Sequence, residues 1–509
     1  MLKKLFSKLN TKEVSEAQDD QIVMNESIDD TVASIKKIVG GSDDIIQRDF
    51  LIGKKIRATL FFVDGLSDSD SIEEDVLRPL INFTDVSRYD KKTEFIKYLE
   101  TEVVTFSELK TEGSLEKAMV PFLSGETILV IDGIKELILL ETRKFNERNI
   151  TEPESEIVIR GPRDGFVETL HTNVLQVRRR VRDPNLTVQF GILGKKSKSD
   201  FAILYLKGVA NEEHIKEMRY RISCIDNDQI IDTGTMEQFI EDNVLSFFPQ
   251  ILRTERVDKT VMALMNGQVV VFHDGSPFSL IAPVTFHMLF RSPEDYYDRY
   301  FVGSLVRSLR YVSAFVATFL PAIYIAMVSY HQRMIPTTLA LSIAGSREGV
   351  PFPAFIEALI MEVTFELLRE AGVRLPRAVG QTIGIVGGLV IGDAAVRAGI
   401  VSPIMVIVVA MTAIASFTLP DYSVSTTSRI LRFIMMISAA VLGLYGILIV
   451  YIFINIHLVG LKSFGTYYTS PFAPYRFEEW KDLVFRAPLS LLKDRFSELN
   501  PKDKKRQGE

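Results

Sequence analysis

The chain has 509 residues, enough for two or three domains, with 59 basic against 65 acidic residues and a formal net charge of −6. That near-neutral balance argues against a protein built to hold nucleic acid, and no nucleic-acid partner is expected. The single cysteine, Cys224, excludes an internal disulfide and any multi-cysteine metal cluster.

Residues 1–48 are polar and acidic, with one short helical pattern from Ile28 to Val39, and read as a flexible leader. The opening MLKKLFSKLNTKEVSEAQDD lacks the continuous apolar core of a secretory signal. The amino-terminal half is therefore expected in the cytosol.

From Lys54 to about Asp274 the chain repeats itself at long range. ATLFFVDGL at 58–66 matches AILYLKGVA at 202–210, each an apolar strand closing in glycine and followed by a helical pattern, Ile72 to Leu80 and Ile215 to Ile222. GETILVIDG at 125–133 matches GQVVVFHDG at 267–275, and Gly65 to Gly133 spans 68 positions where Gly208 to Gly275 spans 67. The expected fold class is an α/β cytosolic half of two related subdomains, 49–150 and 151–300, the second opening on a basic linker. Asp64, Asp132 and Asp274 close strands where a metal or ribose is sometimes held, but Asp-Gly reads first as a tight turn with glycine at positive φ. GILGKKSKS near Gly194 misses the P-loop, since the required earlier glycine is Gln189. No nucleotide, cofactor or metal is expected.

Between the halves, Arg160, Arg163, Arg178, Arg179, Arg180 and Arg182 fall within 23 residues. They suit docking of a partner or of anionic lipid headgroups, or equally a solvated face paired with acids such as Glu168 and Asp183.

SPEDYYDRY at 292–300 has the tyrosines of a membrane approach. Four apolar candidates follow within a helical transmembrane domain over 301–465: Tyr311 to Tyr330, preceded by Arg307 and Arg310; Ala378 to about Gly392; 402–420; and Phe433 to Ile456, flanked by Arg429 and Arg432. Pro351 and Pro353 interrupt 339–368, so hydropathy leaves four or five spans open. The basic tail, 466–509, carries KDKKR at 502–506 and favours an even count with both ends cytosolic.

Within that domain Gly380, Gly384, Gly388 and Gly392 recur every four residues and form a bare helical stripe for close packing. The preceding helical pattern, Pro353 to Gly372, is apolar except for Glu357, Glu362, Glu366, Arg369 and Glu370. Glu362 and Glu366 share one face with Arg369 and Glu370, and Glu357 falls roughly opposite. Ionisable groups at membrane depth line partners or wet paths, so these acids mark either an ion path or an interfacial helix paired with Arg369 and Arg374. The six histidines have no metal-ligand spacing and no GxSxG elbow is present, so an enzyme is not expected.

RGPRDGFVETL, RRRVRDPNL, SPEDYYDRY, SREGVPFPAFIEAL, LREAGVRLPRAVGQTIG, SPIMVIVVAMTAIASF and LKSFG, in this order over about 50–470, resemble the A-subunit family of bacterial spore nutrient-germinant receptors. The resemblance implies a spore inner-membrane protein that works with a transporter-like B subunit and a lipoprotein C subunit. It also implies self-association into a gated channel for monovalent cations. Glu357 and Glu366, with Glu362 after them, then become acids near the ion path, and the glycine stripe packs helices or subunits. Departures are small: His171, Val257, Arg377-Ala378 and Asp393 differ from the family's usual residues, and Asp393 adds a charge at the end of the stripe. A non-conducting membrane scaffold for other germination proteins is the alternative. A secondary transporter is a third reading, weakened because the internal repeat lies in the soluble half.

Overall fold

In the first half, apolar runs become strands buried on both faces. β1 (Ile45–Ile52), β2 (Ile56–Val63), β3 (Leu109–Glu112), β4 (Thr127–Ile131) and β5 (Leu137–Leu140) form an antiparallel sheet in the order β1-β2-β4-β5-β3. Alternation sends Leu60, Phe62, Leu129 and Ile131 to one core and Phe61, Val63, Ile128 and Val130 to the other. With both faces covered, β2, β4 and β5 read as near-continuous apolar runs, while the outer strands β1 and β3 keep polar, exposed positions. The computed structural model describes residues 27–84, 95, 96, 98, 99, 109–143, 152, 153, 155–375, 388 and 390–507. They divide into two units, Met1–Asn149 with Val174–Gln189, and Ile150–Asn173 with Phe190–Glu509.

Helix α1 (Ile28–Val39) buries Ile28, Ile35 and Val39 in one core of the first sheet. Residues 28–48 therefore belong to the first subdomain, which corrects their reading as a loose leader. Their polar residues are the outer face of an amphipathic helix whose inner face is already covered.

The second sheet, built from β6 (Leu186–Leu193), β7 (Ser199–Leu206), β8 (Leu252–Thr254), β9 (Val269–His273) and β10 (Ser279–Ala282), has the order β6-β7-β9-β10-β8, the same topology. The repeat extends to its punctuation. Asp132 Oδ1 accepts from the Ile28 N–H at 3.3 Å, and Asp274 Oδ1 accepts from the Leu170 N–H at 3.0 Å, across 104 residues in both cases. Each aspartate thus satisfies the first turn of a helix, α1 or its counterpart α2 (Leu170–Arg180). Gly133 and Gly275 follow at φ 75° and 83°, the left-handed turn that the Asp-Gly reading requires.

The carboxy-terminal half is helical: α3 (Tyr300–Ser329), α4 (Thr337–Arg347), α5 (Ala354–Arg374), a helical stretch over 390–397, α6 (Pro403–Phe417), α7 (Tyr422–Leu442) and α8 (Leu444–Gly460). Among the described residues α3 and α7 are long and apolar enough to cross a membrane, and α6 and α8 are shorter apolar helices. Pro351 and Pro353 lie between α4 and α5, where the missing N–H and fixed φ of proline end one helix and start another.

Two boundaries differ from expectation. The single span read from Phe433 to Ile456 is a helical hairpin broken at Gly443, whose φ of 61° and ψ of −139° belong to glycine alone. Hydropathy runs through the break because both arms are apolar. The tail is likewise no free basic segment: Phe464, just before it, enters the core of the second sheet, and within it Tyr468 and Leu499 are fully buried. The Ser463 hydroxyl donates to the Gln250 carbonyl at 2.7 Å, and the Lys502 N–H donates to the Val209 carbonyl at 2.9 Å. Its lysines and arginines obscure these few apolar anchors in a compositional reading.

Candidate functional site

Helix α5 carries four carboxylates, and each meets arginine, the exposed Glu370 through Arg374 at 2.6 Å. Glu357, wholly buried, pairs with Arg347 at 2.8 Å and accepts from the Ser402 N–H at 2.9 Å. Glu362 pairs with Arg432 of α7 at 2.6 Å, both side chains 1% exposed. Glu366, 27% exposed, takes Arg429 of α7 at 3.0 Å and Arg369 of its own helix at 3.3 Å. Arg369 in turn donates to Ser416 Oγ at 3.2 Å and lies 4.9 Å from the Phe417 ring centroid.

The pairs are rungs of a ladder. Moving from Glu362 to Glu366 on α5 steps back from Arg432 to Arg429 on α7, so the two helices run antiparallel. Three carboxylates face four guanidinium groups. In an apolar surround the sealed Glu362–Arg432 rung holds together because removing either member leaves the other buried and uncompensated. Glu362 Oε1 and Arg432 Nε and Nη2 have no hydrogen-bond partner among the described residues, so this rung is held by one strong contact.

A second buried cluster ties the foot of α3. Arg307 Nε donates to Asp295 at 2.9 Å and its Nη1 to Asp482 at 2.7 Å, while Arg310 pairs with Asp295 at 2.7 Å. Tyr296 donates to Asp482 Oδ2 at 2.7 Å, and burial pushes its phenol up to about 12, so it remains a donor. Burial also pushes Glu498, near Glu479 and Arg291, up to about 8 and His287 down to about 3, so both are neutral at pH 7.

The other expected residues scatter. Arg178 is fully buried and gives a fork of hydrogen bonds to Asp44, 2.9 Å from Nε to Oδ2 and 2.9 Å from Nη2 to Oδ1, with Ser42 beside it. It therefore presents nothing to a lipid or partner, which corrects the docking expectation at that position. Its rigid planar fork suits a structural lock. Arg160 and Arg163 are exposed and paired with Asp298 at 2.9 Å and Glu152 at 3.3 Å. Arg179 is half-buried and Arg180 exposed. Gly380 and Gly384 lie outside the described residues. At Gly388 and Gly392 an added Cβ would stand 3.9 Å from Phe365 and 3.7 Å from Val406, ordinary contacts that do not require glycine.

Sequence reasoning missed the partners more than the acids. Arg429 and Arg432, taken as flanking charges, sit inside α7, and their burial cost within an apolar run was the available signal. Asp295 and Asp482 have none, being 187 residues apart and joined only through Arg307.

A family profile described as Bacillus/Clostridium GerA spore germination protein matches residues 33–498. The chain belongs to this GerA family. Spore germination protein GerLA of Bacillus cereus is 43% identical over 475 residues, 93% of this chain and 96% of that protein. Uncharacterized membrane protein YfkQ of Bacillus subtilis (strain 168) is 40% identical over 478 residues, 94% and 92% of the two chains. The crystal structure of the amino-terminal domain of the A subunit of the Bacillus megaterium spore germinant receptor GerK3 matches at 28% identity and a TM-score of 0.41, covering 52% of this chain and 98% of that one. Membership supports a role in spore germination.

Proposed function

We propose that this protein is the A subunit of a nutrient germinant receptor in the spore inner membrane, where copies of the chain assemble into a gated cation channel alongside a B and a C subunit. The α5 ladder carries this reading. Glu357, Glu362 and Glu366 occupy successive levels of one helix, and Glu366 keeps partial exposure between two arginines. Releasing a rung frees a carboxylate for a passing cation and loosens α5 from α7 in the same act, which couples opening to conduction. The glycine stripe is assigned to packing between subunits.

The register of the helices supports an even number of crossings. The far end of α3 meets the α7–α8 hairpin, where Tyr330 donates to the Ala440 carbonyl at 2.5 Å. Both α7, through Arg253 and Ser423 at 3.3 Å, and α8, through His457 and Ser246 at 2.9 Å, reach the second subdomain at their other ends. Ser402 lies level with Glu357, and Ser416 level with Arg369. Thus, among the described helices, α3 and α7 rise while α5, α6 and α8 descend, which supports an even count with the tail on the cytosolic side.

Potassium release from liposomes tests the reading. Chain, B and C subunits together should release potassium on nutrient addition, and Glu357→Gln/Glu366→Gln should change that rate several-fold. A non-conducting scaffold is the second reading, favoured by the full enclosure of Glu357 and Glu362. Correctly inserted complexes that release no ion with any nutrient would leave only the scaffold.

A further inference from the structure

A tight turn in the second subdomain has an apolar crown where such turns ordinarily carry glycine, proline or small polar residues. Its base is closed twice: the Asn243 N–H donates to Gln250 Oε1, and Gln250 Nε2 donates to the Asn243 carbonyl, each at 2.8 Å. The Ser246 N–H donates to the Asn243 carbonyl at 3.1 Å and the Leu245 N–H to Asn243 Oδ1 at 3.1 Å. Val244 and Leu245 are left at the crown, 65% and 90% exposed, with Phe247 beside them at 52%. The turn is ordered before anything covers it.

Its inner side is fixed to the helices. Ser246 Oγ lies 2.9 Å from His457 Nε2 of α8, the Phe247 carbonyl accepts from the Thr427 hydroxyl of α7, and Phe248 is buried against the His457 ring. Thr427 is five residues into α7 and His457 three residues from the end of α8, so the turn reaches roughly one helical turn, about 5 Å, along both. At that level α8 exposes Ile456 and Val459. Just beyond its end, the Lys462 ammonium lies 5.3 Å from the Tyr467 ring centroid, the pairing of a long cation and an aromatic typical of a membrane boundary.

We propose that the Val244–Leu245 crown inserts into the headgroup–acyl boundary of the bilayer beside the ends of α7 and α8, pinning the second subdomain to the lipid surface. The occupant is lipid because the crown continues the exposed apolar face of α8 at the same depth, and its preformed shape needs no partner to order it. This inference rests on the helical half spanning the membrane.

The test uses the full chain with its B and C partners in phosphatidylglycerol–phosphatidylethanolamine vesicles. The single tryptophan, Trp480, is replaced by phenylalanine. One indole is then introduced by Leu245→Trp or, as a membrane control, by Phe453→Trp on α8, where the native side chain is 66% exposed. Lipids brominated near the headgroup should quench emission from position 245, and lipids brominated deep in the chain should quench position 453. Quenching at 453 alone, with position 245 open to aqueous iodide, overturns the insertion and leaves the membrane reading standing. Position 245 shielded from both quenchers means that protein covers the crown, and the lipid assignment falls. Neither position responding to lipid removes the membrane reading and the inference together.

Discussion

Glu362 and Glu366 lie one turn apart on the same helix, yet one is sealed against a single arginine and the other sits half-open between two. That difference decides what each substitution does. Glu362→Gln leaves Arg432 buried with its charge unmatched and should cost about 3–5 kcal/mol of stability. Adding Arg432→Met should restore most of it, since an apolar pair of similar volume replaces a buried ion pair at little net cost. Thermal unfolding of the single and double variants in lipid nanodiscs checks this, and equal losses in both would show that the pair does not hold the helices. Glu498 yields a pH dependence with a definite sign. Burial raises its carboxyl from an ordinary 4.5 to about 8, so the folded protein keeps a proton that the unfolded chain releases. Its contribution to stability is complete below 4.5 and is lost as pH rises towards 8. Glu498→Gln should flatten the melting temperature across that interval, and an unchanged slope would assign the proton elsewhere.

At the level of elements, position and chain neighbours are poor guides to membership. Helix α1 looks like part of a polar leader, but its apolar stripe closes a sheet core and its first N–H is held by Asp132. The hairpin of α7 and α8 hides in one apolar run because hydropathy registers side chains and not the backbone dihedral of one residue. Gly443→Ala tests this hairpin. Its left-handed backbone and a Cβ brought to 2.8 Å from the His331 ring should destabilise the protein by ~1–3 kcal/mol. A wild-type melting temperature for that variant would mean that the two arms are one flexible helix. The glycine stripe differs: the open contacts at Gly388 and Gly392 leave no steric demand for glycine within one chain at those two positions.

For the whole molecule, the proposed even-count topology predicts which surfaces face the same way. Cys224 is exposed and sits in the second subdomain. In sealed vesicles a membrane-impermeant maleimide should reach Cys224, and Lys502→Cys in a cysteine-free background, from one side. Arg333→Cys, beyond the far end of α3, should react only from the other, and labelling of Arg333→Cys and Cys224 from the same side would rule the topology out. The internal repeat, the α/β class of the first half, the apolar helices of the second and the GerA family were all legible in the sequence. They rest on local periodicity, turn chemistry and ordered motifs, which are properties of neighbouring residues. Local pattern also marked Glu357, Glu362 and Glu366 as costly acids needing partners. It did not name Arg347, Arg429 and Arg432 as those partners, join Asp295 to Asp482 through Arg307, bury Arg178 against Asp44, or bury Tyr468 and Leu499 of the basic tail. Those outcomes depend on which distant side chains meet when apolar surfaces close and water leaves, and only the tertiary structure decides that.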